Sequence, residues 1–573
     1  MNFNLAHLSF LFFIFISSFI QILFGINFAS ELFIVISPIL FFILLYQKNN
    51  SFPYYFYLIL LILLFFLFLS FYPPIYDDEF CYPANLPKCF VKFGEYRISE
   101  FQTFWSSLYD SSIAISTTFY YFFDHFISLR LVNLITICFI LSIYFHLMNL
   151  LKIKIFIQLL FIASILLIPV FASHSIIIKN DLLGGYLLLS SYYFLIYCNS
   201  NNFINIKNYL FNYEKVIGLL SIALITTIKP VFIVQAIPII FYFFYLEREN
   251  FKKYFLLLLF LFSLVLFPWL YKNYLVFNQP LYPYLIIPFF EFKFLDFNNL
   301  DLSYFYLLLY EHHSTLKNYS IFSGNIMGFF GHITHRFGFL LYGIFLSLFF
   351  LPNKKFFYFT FFVLLNLFLF SFWEGRYWFG IIFIFIFIFI ENFYYHKKYF
   401  FILFIILVMT NIKDSLRAYV GMHFYLAYDY IVKGEEYFMN NRMNMMDNNN
   451  LISFINKNAL NSNIVIDNCV LFYFDKSINA YSWNQLNLSP FINVDYDKFI
   501  ENLFEKNISY VIYASDAYEK YIDFGFDKDN TINMKKYFIT NINHINQAEK
   551  DGYLKYINTF GRSSVYKVIN SED

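Results

Sequence analysis

The stretch "YYFYLILLILLFFLFLSFYPPIYDDE", residues 54–79, joins a long apolar run to three consecutive acids. The apolar part is close to the length of about 20 residues that a helix needs to cross a hydrocarbon core. Acids placed where a chain leaves a bilayer are functional candidates, because ionisable groups near hydrocarbon are costly. We therefore predict a membrane-spanning helix at 54–72 that opens into an acidic loop.

The same apolar pattern recurs along most of the chain. Of its 573 residues, 60% are hydrophobic and 13% are charged, whereas soluble domains carry about 25% charged residues. The fold class predicted is a polytopic α-helical membrane protein. We predict about 13 spans, at 5–27, 31–46, 54–72, 128–148, 155–172, 181–198, 214–229, 231–246, 254–276, 337–352, 356–372, 377–393 and 398–413.

The loops between these spans predict their orientation, because Lys and Arg accumulate in short cytoplasmic loops. With the N-terminus inside, every second loop carries Lys or Arg: "YQKNN", "LKIK", "NIKNYLFNYEK", "LERENFKK", "LPNKK" and "YYHKK". The outer face then receives 73–127, 277–336 and the chain after 414. The formal net charge of +1 gives no indication of a nucleic-acid partner.

Three further segments complete the predicted organisation. Residues 99–129 mix apolar and polar side chains, which is typical of a helix lying flat on a membrane. A transmembrane domain over 1–413 is followed by a linker at 414–446. Residues 447–573 are predicted to form a small extracytoplasmic α/β domain, because "NIVIDNCVLFYF" and "NISYVIYAS" are β-like and "DYDKFIENLFEKN" has helical spacing.

The acids Asp77 and Asp78 lead the list of candidate site residues. One of them could act as a general base or bind a cation at the bilayer surface, although a solvated acidic loop remains an alternative. Asp181 begins a span, where it could serve the site or stabilise the helix N-terminus. Gly184 and Gly185, in the same span, would allow close helix packing.

Several cations are predicted near the outer face: Lys229, Lys272 and Arg376. A single cation at a helix end often only extends to the headgroups. Several at one depth would suit a phosphate attached to a lipid, because cationic side chains bind phosphate oxygens. The His pair in "HITH" is weak as a metal motif, and no metal site is predicted.

These pieces, in this order, resemble the GT-C superfamily of polytopic glycosyltransferases, close to the group of protein O-mannosyltransferases and lipid A aminoarabinose transferases. The matching elements are "YDDEFCYPANLPKCFVKFGEY", Asp181 in "KNDLLGGYLLLSSYYF", Lys229–Pro230, "PWLYKNYLVFNQPLYP" and Arg376–Tyr377. The chain departs from the family pattern by two extra spans before the acidic loop. It also has Lys272–Asn273 where Arg-Asn is more usual.

The resemblance implies transfer of a hexose or pentose from a polyprenyl-phosphate donor to a lipid, glycan or protein acceptor, with inversion. The reaction would take place at the periplasmic face of a bacterial inner membrane. Asp78, or else Asp77, would be the base. Arg376, Lys272 and Lys229, together with Lys88, would bind the leaving phosphate, and Asp181 would orient one of these groups or the acceptor. Use of a divalent cation is left open.

Two other classes stay open. An O-antigen polymerase or ligase would have a large late outer loop rich in Arg and His, as in "YEHHSTLKN" and "GHITHR". A lipid-linked glycan flippase or transporter would place ionisable groups near the middle of the bilayer, often on inverted repeats. The charges of this chain gather instead at the outer ends of the predicted spans, which favours chemistry at one face.

Overall fold

The computed structural model describes residues 3–26, 54–75, 79, 84–94, 111–200, 212–278, 280–281, 379–395, 397–442, 449–466, 470–482, 491, 494–514, 542–561 and 563–569. The chain divides into two compact units. The first comprises Met1–Tyr72, Asp110–Leu270 and Glu311–Tyr428, and the second comprises Pro73–Tyr109, Tyr271–Tyr310 and Asp429–Asp573. The beginning of the acidic loop therefore groups with the C-terminal residues and not with the helices on either side of it.

Helices make up most of the described part of the chain. In chain order they are α1 (Phe3–Phe24), α2 (Tyr54–Leu69), α3 (Asn85–Phe93), α4 (Ser111–Phe123), α5 (Leu131–Leu150), α6 (Ile155–Leu166), α7 (Pro169–His174), α8 (Asp181–Tyr192), α9 (Tyr213–Ile225), α10 (Pro230–Leu246), α11 (Phe251–Phe277), α12 (Phe379–Tyr395), α13 (Lys397–Ala418), α14 (Tyr425–Lys433), α15 (Glu435–Asn441), α16 (Asn449–Asn458) and α17 (Tyr496–Glu505). Short 3-10 turns precede α5 and α11, and π-helical turns follow α8 and α13.

Several of these helices are suited to a membrane. Within the described residues, Phe3–Phe24, Phe126–Leu150 and Arg248–Leu275 are long and apolar enough to cross one, and shorter apolar helices lie at Tyr57–Leu69, Ile155–Leu166, Phe232–Leu246 and Phe379–Glu391. Every predicted span that falls in the described part of the chain overlaps a helix. The spans predicted at 31–46, 337–352 and 356–372 lie outside it. The chain is an integral membrane protein.

The prediction of a flat interfacial helix is wrong for α4. Its first ten residues are all buried in the first unit, and some of their polar groups bond to α1. Gln21 Nε2 donates to the carbonyl oxygen of Ala114 at 2.9 Å, and Ser18 Oγ donates to Ser111 Oγ at 2.9 Å. Hydroxyl and amide groups can join helices within an apolar bundle, so a mixed composition does not by itself indicate a helix on the membrane surface.

The segment 414–446, interpreted from sequence as a linker, is helical over most of its described length. The end of α13, a π-helical turn, α14 and α15 follow one another through Asn441. Asp429 on α14 accepts a hydrogen bond from Arg442 Nε at 2.8 Å and forms an ion pair with Lys433 at 2.8 Å. Polar side chains therefore stabilise these helices by pairing with one another.

A five-stranded sheet lies in the second unit. Its strands are β1 (Asn463–Ile466), β2 (Asn479–Ser482), β3 (Ile508–Ala514), β4 (Leu554–Phe560) and β5 (Ser563–Val568), in the order β2-β1-β3-β5-β4. β1 pairs in parallel with β2 and β3, whereas β5 is antiparallel to β3 and β4. β1 and β3 fall within the stretches whose composition predicts strands.

Both faces of β1 are covered. Ile464 and Ile466 on β1 share one core with Leu451 of α16, and Val465 shares the other core with Phe499 of α17. A strand that is covered on both faces is expected to be continuously apolar rather than alternating. This explains the uninterrupted apolar sequence of β1.

Candidate active site at one end of the helical unit

Helix ends that were predicted to share the outer side lie together in the first unit. Arg130, just before α5, donates from Nη1 to the carbonyl oxygen of Ser70, just after α2, at 2.7 Å. Asn133 Nδ2 on α5 donates to the carbonyl oxygen of Ile177, in the loop before α8, at 2.6 Å. The outer loops thus converge at one end of the helices.

The loops that were predicted to be cytoplasmic meet at the opposite helix ends. Lys215 forms an ion pair with Glu247 at 2.5 Å, and Asn199 donates to the same carboxylate at 2.8 Å. Asn4 Nδ2 donates to Glu214 Oε1 at 2.6 Å. The contacts at both ends agree with the alternation of loops along the chain.

An ion pair joins two of the predicted site residues. Lys229 Nζ lies 2.7 Å from Asp181 Oδ1, and the exposed fractions of the two side chains are 19% and 1%. Asp181 is the first residue of α8, and Lys229 directly precedes α10. The structure therefore brings together two oppositely charged side chains at the N-termini of two helices. Both are largely buried, and electrostatic interactions are stronger there than in water.

Glycines on α8 permit this approach, as predicted. A Cβ atom at Gly184 would lie 2.4 Å from Cε2 of Phe232, near the start of α10. A Cβ atom at Gly185 would lie 2.8 Å from Cε2 of Phe383 on α12. The close contact between α8 and the first turn of α10 sets the distance between Asp181 and Lys229.

A fully buried arginine lies at the exit of α2. The Arg130 guanidinium packs 4.3 Å from the ring centroid of Tyr72, and Nη1 donates to the carbonyl oxygens of Ser70 and Tyr72 at 2.7 and 2.5 Å. The last carbonyl groups of a helix lack intrahelical partners, and a cation near the C-terminal end of a helix is favourable. Arg130 therefore fixes the chain five residues before Asp77.

His423 holds the side chain of the same tyrosine. Its Nδ1 lies 2.7 Å from the Tyr72 hydroxyl. Burial, followed by the nearby Arg130 and His174, lowers the pKa of His423 to about 3, although the backbone carbonyl of Ser173 acts in the opposite direction. The imidazole is therefore neutral at ordinary pH and positions Tyr72 without adding a charge.

Glu79, the third acid of the motif, is buried. Its Oε2 accepts a hydrogen bond from the Ile75 N–H at 3.3 Å, and its carbonyl oxygen accepts one from the Ala84 N–H at 2.8 Å. Glu79 is thus not a solvated acid, and it stabilises the local fold of the loop.

The other predicted site residues are distributed as follows. Lys88, on α3, donates from Nζ to the carbonyl oxygen of Phe472 at 2.8 Å, within the second unit. Lys272 is buried near the C-terminal end of α11. Asp77, Asp78 and Arg376 lie outside the described residues. The predictions for these five residues remain predictions.

Sequence reasoning missed Arg130, Tyr72 and His423. A single Arg at the start of a span resembles an ordinary interfacial cation, and His423 lies in the segment interpreted as a linker. One signal was available for Arg130. It begins the span that directly follows the acidic loop on the same predicted side, so a contact with the exit of α2 was geometrically accessible.

These features define a polytopic membrane protein with its candidate site at one end of the helices. Its fold is similar to that in the crystal structure of ArnT from Cupriavidus metallidurans bound to undecaprenyl phosphate, with a TM-score of 0.52 and 10% sequence identity. The similarity covers 90% of this chain and 98% of that chain. No family model matches the chain, and no curated protein matches it in sequence. The chain thus has an ArnT-like fold, as the resemblance in the sequence predicts.

Proposed function

We propose that this chain is a glycosyltransferase that moves a sugar from a polyprenyl-phosphate donor to an acceptor at the outer face of a bacterial inner membrane. The observation that carries the proposal is the similarity of 90% of the chain to a fold solved with undecaprenyl phosphate bound. A fold alone does not define an activity. The charged residues at one end of the first unit supply the second line of support.

The leaving group of such a transfer is a lipid phosphate, and fixed cations stabilise the charge that develops on it. Lys229 is suited to this role because Asp181 holds its ammonium at 2.7 Å while part of the side chain stays accessible. We assign Lys272 and Arg376 to the same phosphate as further cations. Asp181 then acts by orienting Lys229.

The acceptor hydroxyl has a pKa far above 7, so a carboxylate must take its proton during the attack. We assign this role to Asp78, with Asp77 as the alternative. The acceptor oxygen bonds to the anomeric carbon as the bond from that carbon to the phosphate oxygen breaks on the opposite side. The proton passes to the carboxylate, the lipid phosphate leaves, and the anomeric configuration inverts.

Replacement of the two acids tests this assignment. Membranes containing Asp77→Asn, Asp78→Asn or the double variant are assayed for transfer from polyprenyl-linked sugar, with Asp414→Asn, an exposed carboxylate on α13, as the matched control. We expect the variant that lacks the base to lose about 10²- to 10⁴-fold in rate and the control to retain full activity. Full activity in both single variants and in the double variant would rule out the assignment.

A further inference from the structure

The second unit contains a basic pocket between α3 and residues 474–480. Lys88 and Lys92 lie one turn apart on α3 and therefore on the same face. Lys92 Nζ donates to the carbonyl oxygen of Ile478 at 2.9 Å and to Asn479 Oδ1 at 2.6 Å. These bonds, with those of Lys88 to the carbonyl oxygens of Phe472 and Phe474, keep both ammonium groups in the wall of the pocket.

The pocket is positively charged. Within the described residues, neither Lys88 nor Lys92 has a carboxylate at ion-pair distance, and each ammonium uses two of its three N–H groups. Lys476 also lines the pocket, as does the exposed Asp475. Burying an ammonium that has no carboxylate at ion-pair distance costs free energy. An anion in the pocket would recover that cost.

Burial lowers the pKa values of both lysines. Burial lowers the pKa of Lys88 to about 8; the neighbouring Lys476 and Lys92 also lower it, whereas Cys89 and Asp475 act in the opposite direction. Burial likewise lowers the pKa of Lys92. Both lysines would be stabilised in their charged form by a bound anion.

The size of the pocket limits what can bind. Its volume of about 40 Å³ is room for about three water molecules, since one needs at least 10–15 Å³ on this measure. This space suits a single oxyanion group with the rest of the ligand outside. We propose that the pocket formed by α3 and residues 474–480 binds a phosphate group, whose negative charge its lysines would offset.

This site goes beyond the proposed function, because neither Asp181 nor Lys229 lines it. It also assigns Lys88 to this pocket and not to the leaving phosphate of the transfer, the role that the resemblance implies for it. The phosphate group could belong to a phospholipid headgroup or to a soluble phosphate. The chemistry that recognises it is the same in both cases, namely charge-assisted hydrogen bonds from fixed ammonium groups.

Direct binding to the purified full-length chain tests the site without any assay of transfer. Inorganic phosphate is titrated calorimetrically against the wild type, Lys92→Gln and Lys476→Gln, with Lys457→Gln as a control at an exposed lysine of the same unit. We expect Kd to rise about tenfold in each pocket variant and to stay unchanged in the control. Equal affinity in all four proteins, or no binding up to about 10 mM phosphate, would overturn the proposal.

Nanodiscs distinguish the two sources of phosphate. The same titration is run in nanodiscs of phosphatidylcholine and in nanodiscs that also contain phosphatidic acid. A phospholipid headgroup in the pocket would raise the apparent Kd for inorganic phosphate in the second case, in the wild type but not in Lys92→Gln. An unchanged Kd in the wild type would identify a soluble phosphate as the ligand. Either result supports the site when the pocket variants bind phosphate more weakly than the control.

The pH dependence gives an independent readout. Binding requires the charged form of Lys88, so phosphate affinity should fall as the pH rises through about 8. Burial is the main cause of this pKa, and Cys89, Lys476, Lys92 and Asp475, which face the same ammonium, modify it. Attraction by cations that stayed charged would instead increase with pH as phosphate becomes more fully dianionic. An affinity that rises between pH 7 and 9 would therefore contradict the proposal.

Discussion

At the scale of single residues, the ion pair between Asp181 and Lys229 makes a sharp prediction. Removing one member of a buried pair leaves an uncompensated charge, which costs about 3 to 5 kcal/mol. Because 19% of the Lys229 side chain is exposed, we expect Lys229→Met to lose about 3 kcal/mol of unfolding free energy. The double variant Asp181→Asn/Lys229→Met should lose less, because no carboxylate charge remains.

The exposed pair of Lys498 and Glu501, at 2.7 Å, is the matched control. Exposed ion pairs contribute little to stability, so Lys498→Met should leave the unfolding midpoint unchanged. Chemical unfolding of the detergent-solubilised chain measures all three variants. Equal losses in Lys229→Met and in the double variant would show that the buried charge is not the cause.

His423 predicts a pH dependence of stability. Its pKa is about 3 in the folded protein and 6.5 in the unfolded chain, so below pH 6.5 the unfolded chain takes up a proton that the folded protein does not. Stability from this group is therefore lost as the pH falls from 6.5 towards 3, at about 1.4 kcal/mol per pH unit. His423→Gln should lack this contribution. Parallel pH profiles of unfolding for the two proteins, between about pH 4.5 and 6.5, would contradict the assignment.

At the scale of elements, the contact between α8 and α10 controls the candidate site. Gly184→Ala would place a Cβ 2.4 Å from Phe232. Overpacking of this kind costs about 1 to 3 kcal/mol, and it should also lower sugar transfer because Asp181 moves away from Lys229. Gly184→Ala combined with Phe232→Leu should recover part of both losses.

Gly421, in the π-helical turn after α13, provides the control for this substitution. The nearest atom to a Cβ there is Cγ of Arg417 at 3.6 Å, which is an ordinary contact. Gly421→Ala should therefore leave stability and transfer close to those of the wild type. If it is as damaging as Gly184→Ala, the loss does not arise from the packing of α8 on α10.

The apolar helices could be predicted from sequence, because their length and composition are set by the bilayer. The pairing of Asp181 with Lys229 could not, because each has a simpler explanation alone and 48 positions separate them. Periodicity and composition also failed for α4, whose Ser and Thr residues bond to neighbouring helices. The helices in 414–446 were missed because polar pairs such as Asp429 and Arg442 stabilise them.

At the scale of the whole molecule, sugar transfer at the outer face requires two sets of helix ends on opposite sides of a membrane. Asp124 and Lys154 are exposed at the predicted outer and cytoplasmic ends, respectively. In a variant without the five native cysteines, an impermeant thiol reagent should label Asp124→Cys on intact cells and Lys154→Cys only after lysis. The reverse pattern would place the acidic loop in the cytoplasm.

The proposed function requires that the chain consumes a lipid-linked sugar. Its most direct test is mass spectrometry of lipid-linked sugars and envelope glycans from a strain lacking the gene, complemented with the wild type or with Asp77→Asn/Asp78→Asn. In the strain lacking the gene, a polyprenyl-phosphate sugar should accumulate and one glycan should lose that sugar, and only the wild type should reverse both changes. An unchanged lipid-linked pool, or full reversal by the double variant, would contradict the proposed function.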